Sequence, residues 1–209
     1  MSEVLLNIIA TVVAGAVATS SGVSSSTSEA SVTRMASDVE VVFAYPRAAY
    51  RAHVSGAATV QCVLDERAAV RKCSVVSEQP GGQGFGDAAT KLVPYMAFSV
   101  PPSTDGAGSV VSFTITFKNP MADKWPNYLR VPSADYLRSV WPRDMTGQVQ
   151  IGCRVEIDGT PDACEVLEPL RPSAAIRAAA QKVMATIQFS PATRDGRPIQ
   201  AVAIVPFKF

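Results

Sequence analysis

Four cysteines, one histidine and a few clustered carboxylates are the residues of this chain with chemistry to offer. Cys62 and Cys73 lie 11 residues apart, as do Cys153 and Cys164, and the second pair follows the first by 91 (153 − 62 and 164 − 73). Neither pair has the C-x-x-C spacing of a redox site, and the single histidine, His53, leaves a zinc site short of ligands. The cysteines therefore predict structural chemistry: one disulfide inside each copy of a duplicated unit. A serine or cysteine nucleophile needs a base within hydrogen-bond reach, and His53, next to a strand, reads as a surface residue instead. No G-x-S-x-G, P-loop or metal-ligand cluster occurs. Asp158, Asp162 and Glu165 surround a turn, where solvated charges are the ordinary state. The sequence predicts no enzyme, no cofactor and no metal.

The elements that position these cysteines are legible. Val149, Ile151, Cys153, Val155 and Ile157 alternate with Gln148, Gln150, Gly152, Arg154 and Glu156, the period of a half-buried strand. Asp158-Gly159 supplies turn chemistry, and the chain returns through Ala163–Leu167. A four-residue loop at Ile157–Thr160 sets Glu156 against Pro161 and Cys153 against Cys164, at a non-hydrogen-bonded pair where Cα atoms approach most closely. The first copy obeys the same count: a loop at Glu66–Ala69 sets Asp65 against Val70 and Cys62 against Cys73. Each bridge closes a short loop and contributes roughly 2–3 kcal/mol in the chain-entropy account.

Other residues keep the same offset, among them Gly56 with Gly147, Val60 with Ile151, Ala88-Ala89 with Ala179-Ala180 and Phe98 with Phe189. A helix follows each hairpin. Ser173 is the expected N-cap of the second, with Ile176, Ala179, Ala180, Val183, Met184 and Ile187 at helical spacing. Asp87 is the expected cap of a shorter first helix, with Ala88, Leu92 and Tyr95 inward and Pro94 disturbing its end. A final strand closes each unit, Ser109–Phe117 and Ile199–Phe207. The predicted fold class is α+β: two tandem small modules, each a strand-strand-helix-strand antiparallel sheet with one covering helix. Such a sheet keeps open edges, and an open edge is a template for another chain.

Composition is 47% hydrophobic and 18% charged, which suits a globular protein, and a net charge of +1 gives no basic surface for nucleic acid. Val4–Ala18 is apolar apart from Asn7 and Thr11, and at 15 residues it is shorter than the roughly 20 of a spanning helix. It ends in Ala16-Val17-Ala18, the pattern expected before a signal-peptidase cut, although Met1-Ser2-Glu3 carries no positive charge. Residues 1–18 are thus expected to be an export signal, cleaved or retained as an anchor, placing the cysteines where disulfides persist. Residues 19–38 have Ser/Thr-rich linker composition, 39–118 form the first module, 119–128 a second linker and 129–209 the second module. Trp125, in the linker, is expected to pack the modules together.

Several of these residues resemble a known family. Tyr45-Pro46-x-x-Ala49, Val54-x-Gly56, Thr59-Val60 and Cys73-x-Val75-Val76-x-Glu78 resemble the start of the C-terminal domain of TonB proteins. Ile187-x-Phe189-x-Pro191-Ala192-x-x-Asp195-Gly196-x-Pro198 and the ending Pro206-Phe207-x-Phe209 resemble its second half. The resemblance covers about residues 43–118 and 129–209. It implies a periplasmic protein, exported and inner-membrane anchored where residues 4–18 are retained. Members of the family transmit energy from the inner membrane to outer-membrane receptors for siderophores and vitamin B12. They capture a short receptor peptide by adding it to a sheet edge, a mode in which backbone bonds give affinity and alternate side chains specificity. The implied peptide-binding edge is the last strand, Ile199, Ala201, Val202, Ala203, Ile204, Val205 and Phe207, with Val110–Phe117 its counterpart in the first copy. The implied partner is an outer-membrane TonB-dependent receptor or another envelope protein, and the same edge admits a second copy of the chain. The alternative function is a structural envelope scaffold whose modules pack edge to edge. The chain departs from a typical transducer: its apolar segment carries no His, and no Pro occurs between Thr19 and Tyr45. In the first copy Asp65-Glu66-Arg67 replaces the D-G turn and Val100-Pro101-Pro102 replaces F-x-P-A.

Overall fold

The computed structural model describes residues 30–101, 108–119 and 121–209; the apolar segment 4–18 and most of the 19–38 tract lie outside the described residues. The chain begins with β1 (Ser31–Arg34), α1 (Asp38–Ala44) and α2 (Arg47–Arg51). The first hairpin, β2 (Gly56–Leu64) and β3 (Val70–Gln79), is followed by α3 (Phe85–Leu92), a 3-10 turn at Val93–Tyr95, β4 (Ala97–Ser99) and β5 (Ser109–Phe117). Then come β6 (Asn127–Arg130), α4 (Ala134–Val140), β7 (Gln148–Val155), β8 (Pro161–Glu168) and α5 (Ala174–Met184). Three short strands, β9 (Gln188–Ser190), β10 (Ala192–Arg194) and β11 (Arg197–Ile199), precede β12 (Ala201–Lys208).

Antiparallel sheets with helices laid on them make this an α+β fold. Two sheets have three strands each, in the orders β3-β2-β5 and β12-β7-β8; β1-β4, β6-β9 and β10-β11 are two-stranded ribbons. The apolar residues of each alternating strand face one helix. In the first sheet Val60, Cys62, Leu64, Phe113, Ile115 and Phe117 pack with Ala88, Ala89 and Leu92 of α3. In the second, Val149, Ile151, Cys153 and Val155 pack with Ala179, Ala180, Val183 and Met184 of α5, and Trp141 closes the end. Full burial of each large aliphatic or aromatic side chain contributes about 1.5–3 kcal/mol.

Both disulfides form, Cys62–Cys73 and Cys153–Cys164, each with Cα atoms 4.1 Å apart. Cys62 lies opposite Cys73 as counted, but both turns close one residue earlier than the count. Leu64, not Asp65, faces Val70, and Val155, not Glu156, faces Pro161. The Asp65 carboxylate accepts the N–H groups of Arg67 and Ala69, closing a longer loop, and Asp158 accepts both the N–H and the hydroxyl of Thr160. A β-bulge between Val63 and Leu64, and another between Gly152 and Arg154, absorb the extra residue and leave the cysteines aligned. Gly159 at the second turn adopts φ +86, and a Cβ there would lie 2.0 Å from the Phe189 carbonyl oxygen.

Ser173 caps α5 as expected, but Asp87 does not cap α3. The helix begins three residues earlier, with Gly84 in the cap position, because the Glu78 carboxylate accepts the N–H groups of Gln83, Gly84 and Gly86. Those bonds hold the Glu78 carboxyl below the usual range. Ala88 and Leu92 point inward, whereas the Tyr95 hydroxyl reaches away to donate to the Leu167 carbonyl at 2.9 Å. The tract read as a linker up to residue 38 contains β1 and the N-cap Ser37, and the 119–128 tract runs into β6. The last predicted strand is divided at Gln200 into β11 and β12.

Candidate functional site

β12 lies at the edge of its sheet and pairs, among the described residues, with β7 alone. Its pleat decides what the open side presents. Gly147 and Phe209 exchange both backbone hydrogen bonds, which makes theirs a hydrogen-bonded pair. Alternation from that point bonds Ala201, Ala203, Val205 and Phe207 to β7, and turns the backbone N–H and C=O of Val202, Ile204 and Lys208 outward. Pro206 belongs to the outward set, where its missing N–H breaks no ladder bond. The donors available to an added strand are therefore those of Val202, Ile204 and Lys208, with a gap between the last two.

Side chains divide along the same alternation. Ala203, Val205 and Phe207 pack into the core beneath α5, and Phe207 and Phe209 lie against Trp141 with ring centroids 5.6 and 5.1 Å away. Val202 and Ile204 sit on the opposite face, which α1 partly covers. Gly152 makes that cover possible: a Cβ there would lie 2.2 Å from Val39 and 2.8 Å from Leu167. Val39 and Leu167 are both buried at this contact.

Polar bonds hold α1 in place. Ser37 and Glu40 form a reciprocal capping box at its start, and Arg34 bonds Glu40 at 2.8 Å while standing 3.9 Å from Glu165 of β8. Burial pushes the Glu165 carboxyl above its ordinary value, against the hydrogen bond from Ser37. Beside α1 a groove of about 940 Å³ opens between α2, α3 and the face of β12 that carries Val202 and Ile204. Its α2 wall is firmly placed. The buried Asn119 donates its side-chain N–H to the Tyr50 carbonyl at 2.8 Å, and Trp125 lies on the Tyr50 ring with centroids 4.8 Å apart. Burial raises the Tyr50 hydroxyl to about 12, so it stays neutral.

Of the residues expected at the edge, Ala201, Val202, Ala203, Ile204, Val205 and Phe207 share β12. Ile199 stands apart, paired with Ala192 in the β10–β11 hairpin. The counterpart strand β5 is likewise an edge, paired with β2. Trp125 joins Tyr50 of the amino-terminal half to Ile199, Ala192 and Ala201 of the carboxy-terminal half. His53 is exposed at φ 55, with its ring nitrogen 3.3 Å from the Asn119 side-chain oxygen. The three carboxylates are engaged separately: Asp158 with Thr160, Asp162 with Arg154 at 2.6 Å, and Glu165 near Arg34. Among the described residues no three His, Cys, Asp or Glu side chains converge on a metal-sized site, and no helix is long and apolar enough to cross a membrane. Sequence reasoning missed the groove, because α1, α2 and β12 meet only through tertiary contact.

No curated protein and no solved structure matches the chain. A family model does: Gram-negative bacterial TonB protein C-terminal matches residues 136–209, from α4 through β12. That segment contains the whole second sheet, its covering helix and the open edge, so the similarity to the family falls on the part of the chain that carries β12.

Proposed function

We propose that this is a periplasmic TonB-like protein that binds peptide segments of outer-membrane TonB-dependent receptors by strand addition to β12. The binding would serve energy-coupled uptake of siderophores or similar nutrients. The observation that carries the reading is the open edge of β12, with the outward backbone groups of Val202 and Ile204, inside the segment that matches the family. Backbone pairing there would provide affinity, and side chains at alternate positions specificity. The chain is further read as two copies of one unit, at 39–118 and 129–209, with the second copy carrying the binding edge. A scaffold built by pairing the two units edge to edge finds less support, since β5 and β12 belong to separate sheets.

Photocross-linking in cells from Val202 and Ile204, with the trapped species identified by mass spectrometry, tests the reading. Capture of the periplasmic tail of an outer-membrane receptor is the expected result. Capture only of the amino-terminal half or of a second copy of this chain would overturn it in favour of the scaffold.

A further inference from the structure

We propose that α2 is a specificity wall that selects an acidic side chain on the peptide added to β12; this rests on the strand-addition reading above. The outward donors of Val202 and Ile204, followed by the gap at Pro206, centre an added strand on these two residues. A strand about 4.8 Å further out would continue the pleat, with every second side chain on the face of Val202 and Ile204. That face is the floor of the groove.

The wall carries uncommitted positive charge. Arg47 and Arg51 stand four residues apart on α2, hence on one face of the helix, and both line the groove together with Lys91 of α3. Among the described residues none of the three pairs with a carboxylate. Two carboxylates also line the groove, and one of them, Glu168, already accepts from Gln150 at 2.7 Å. A cationic wall beside an apolar floor fits an extended segment with apolar residues facing Val202 and Ile204 and one acidic residue an even number of positions away.

The spacing of the two halves also sets α2 apart. Ahead of the hairpins, equivalent positions are 96 residues apart: the N-caps Ser37 and Ser133, and the C-caps Tyr45 and Trp141 (133 − 37 and 141 − 45). From the hairpins onward the offset is 91, as for Cys62 and Cys153. The five-residue difference (96 − 91) falls between Tyr45 and Gly56, the interval that holds α2, itself five residues long. The amino-terminal half thus has an extra helical turn, and that turn faces the edge of the other half.

The test uses the full chain and two synthetic ten-residue peptides of alternating Val and Thr, one with a single Glu on the Val face and the other with Gln there. Backbone amide shifts and exchange protection at Val202 and Ile204 report strand addition, and titration at low salt reports affinity. The Glu peptide is expected to bind roughly five- to tenfold tighter, with the preference fading as salt rises. The double variant Arg47→Glu/Arg51→Glu should lose or invert that preference while still binding the Gln peptide, and Arg47→Gln/Arg51→Gln should abolish it without inversion. Both arginines are exposed, so the fold is expected to survive. Protection at Val202 and Ile204 with an unchanged Glu preference in the variants would overturn the wall and leave strand addition standing. No protection by either peptide would overturn strand addition, and the wall with it.

Discussion

The two three-stranded sheets share strand order, disulfide position and a covering helix, yet their outer faces differ in kind. On the first, Gln61, Val110, Ser112, Thr114 and Thr116 are exposed, and the Thr59 and Thr114 hydroxyls lie 2.9 Å apart. On the second, α1 lies against β7, burying Val39 and Leu167. The position equivalent to Gln61, 91 residues on, is Gly152. A missing side chain at the centre of a strand decides whether the face stays wet or accepts a helix. It also bears on which edge has a groove beside it: among the described residues, an added strand would find the walls of α2 and α3 beside β12.

Breaking that difference should have the largest effect. Gly152→Gln puts a side chain where Val39 and Leu167 now meet the strand, and α1 must undock. Exposure of those two side chains corresponds to a loss of about 3–5 kcal/mol. Chemical denaturation would measure it, and faster amide exchange across Asp38–Ala44 would locate it. The mirror change, Gln61→Gly, alters an exposed strand position and should cost about 1 kcal/mol or less. Equal losses for the two variants would refute the idea that this position sets the asymmetry.

The disulfides test what the sheets share. Both join cysteines 11 residues apart, so replacing either pair by Ala should lower stability by a similar amount, about 2–3 kcal/mol. Thermal melts of the two double variants, and of the wild type with and without reductant, check this. An unchanged transition on complete reduction would sink the staple argument.

How much of this was readable from sequence follows the range of the interactions. The cysteine pairing, β5 to the residue and the cap at Ser173 are local signals, and each appears where the residues place it, while the two hairpins form with turns one residue longer than counted. The longer first turn and the second bulge were not readable, since neither Ala68 (φ 60) in that turn nor Ala163 (φ 45) opposite that bulge has the side chain expected for such a conformation. Gly152 was legible only as a polar-face position in an alternating strand. Its meaning depends on a helix more than a hundred residues earlier in the chain, and no local period encodes that contact. The groove was missed for the same reason, whereas the edge itself follows from strand order.

The helix starts give a smaller contrast. α5 is capped by one serine hydroxyl, whereas three amides at the start of α3 depend on the Glu78 carboxylate. Glu78→Gln keeps the shape but weakens the charge-assisted bonds, for a loss of about 1 kcal/mol. Folding holds the Glu78 carboxyl low, so its contribution is present above the ordinary Glu range and is lost as pH falls through its depressed value. The wild type should thus lose its advantage over Glu78→Gln on acidification, as denaturation midpoints across pH would show. An advantage independent of pH would mean that the side chain acts by packing instead of charge.

Glu165 should respond to pH in the opposite sense. At the α1 contact it faces Arg34, Ser37 and Glu40, and desolvation raises its carboxyl despite the hydrogen bond from Ser37 and the Arg34 charge. Folding therefore favours the protonated form, so this group's contribution is greatest below the ordinary Glu range and declines as pH rises through the raised value. Glu165→Gln stays neutral throughout and should raise Tm at pH 7 by about 1–2 °C, with the gain vanishing at acid pH. The effect is small because the side chain is one-third exposed and its distance from Arg34 is long. A fall in Tm at pH 7 would show that the Arg34 pair outweighs desolvation. The contact between α1 and the second sheet would then be held by charge as well as by the space that Gly152 leaves.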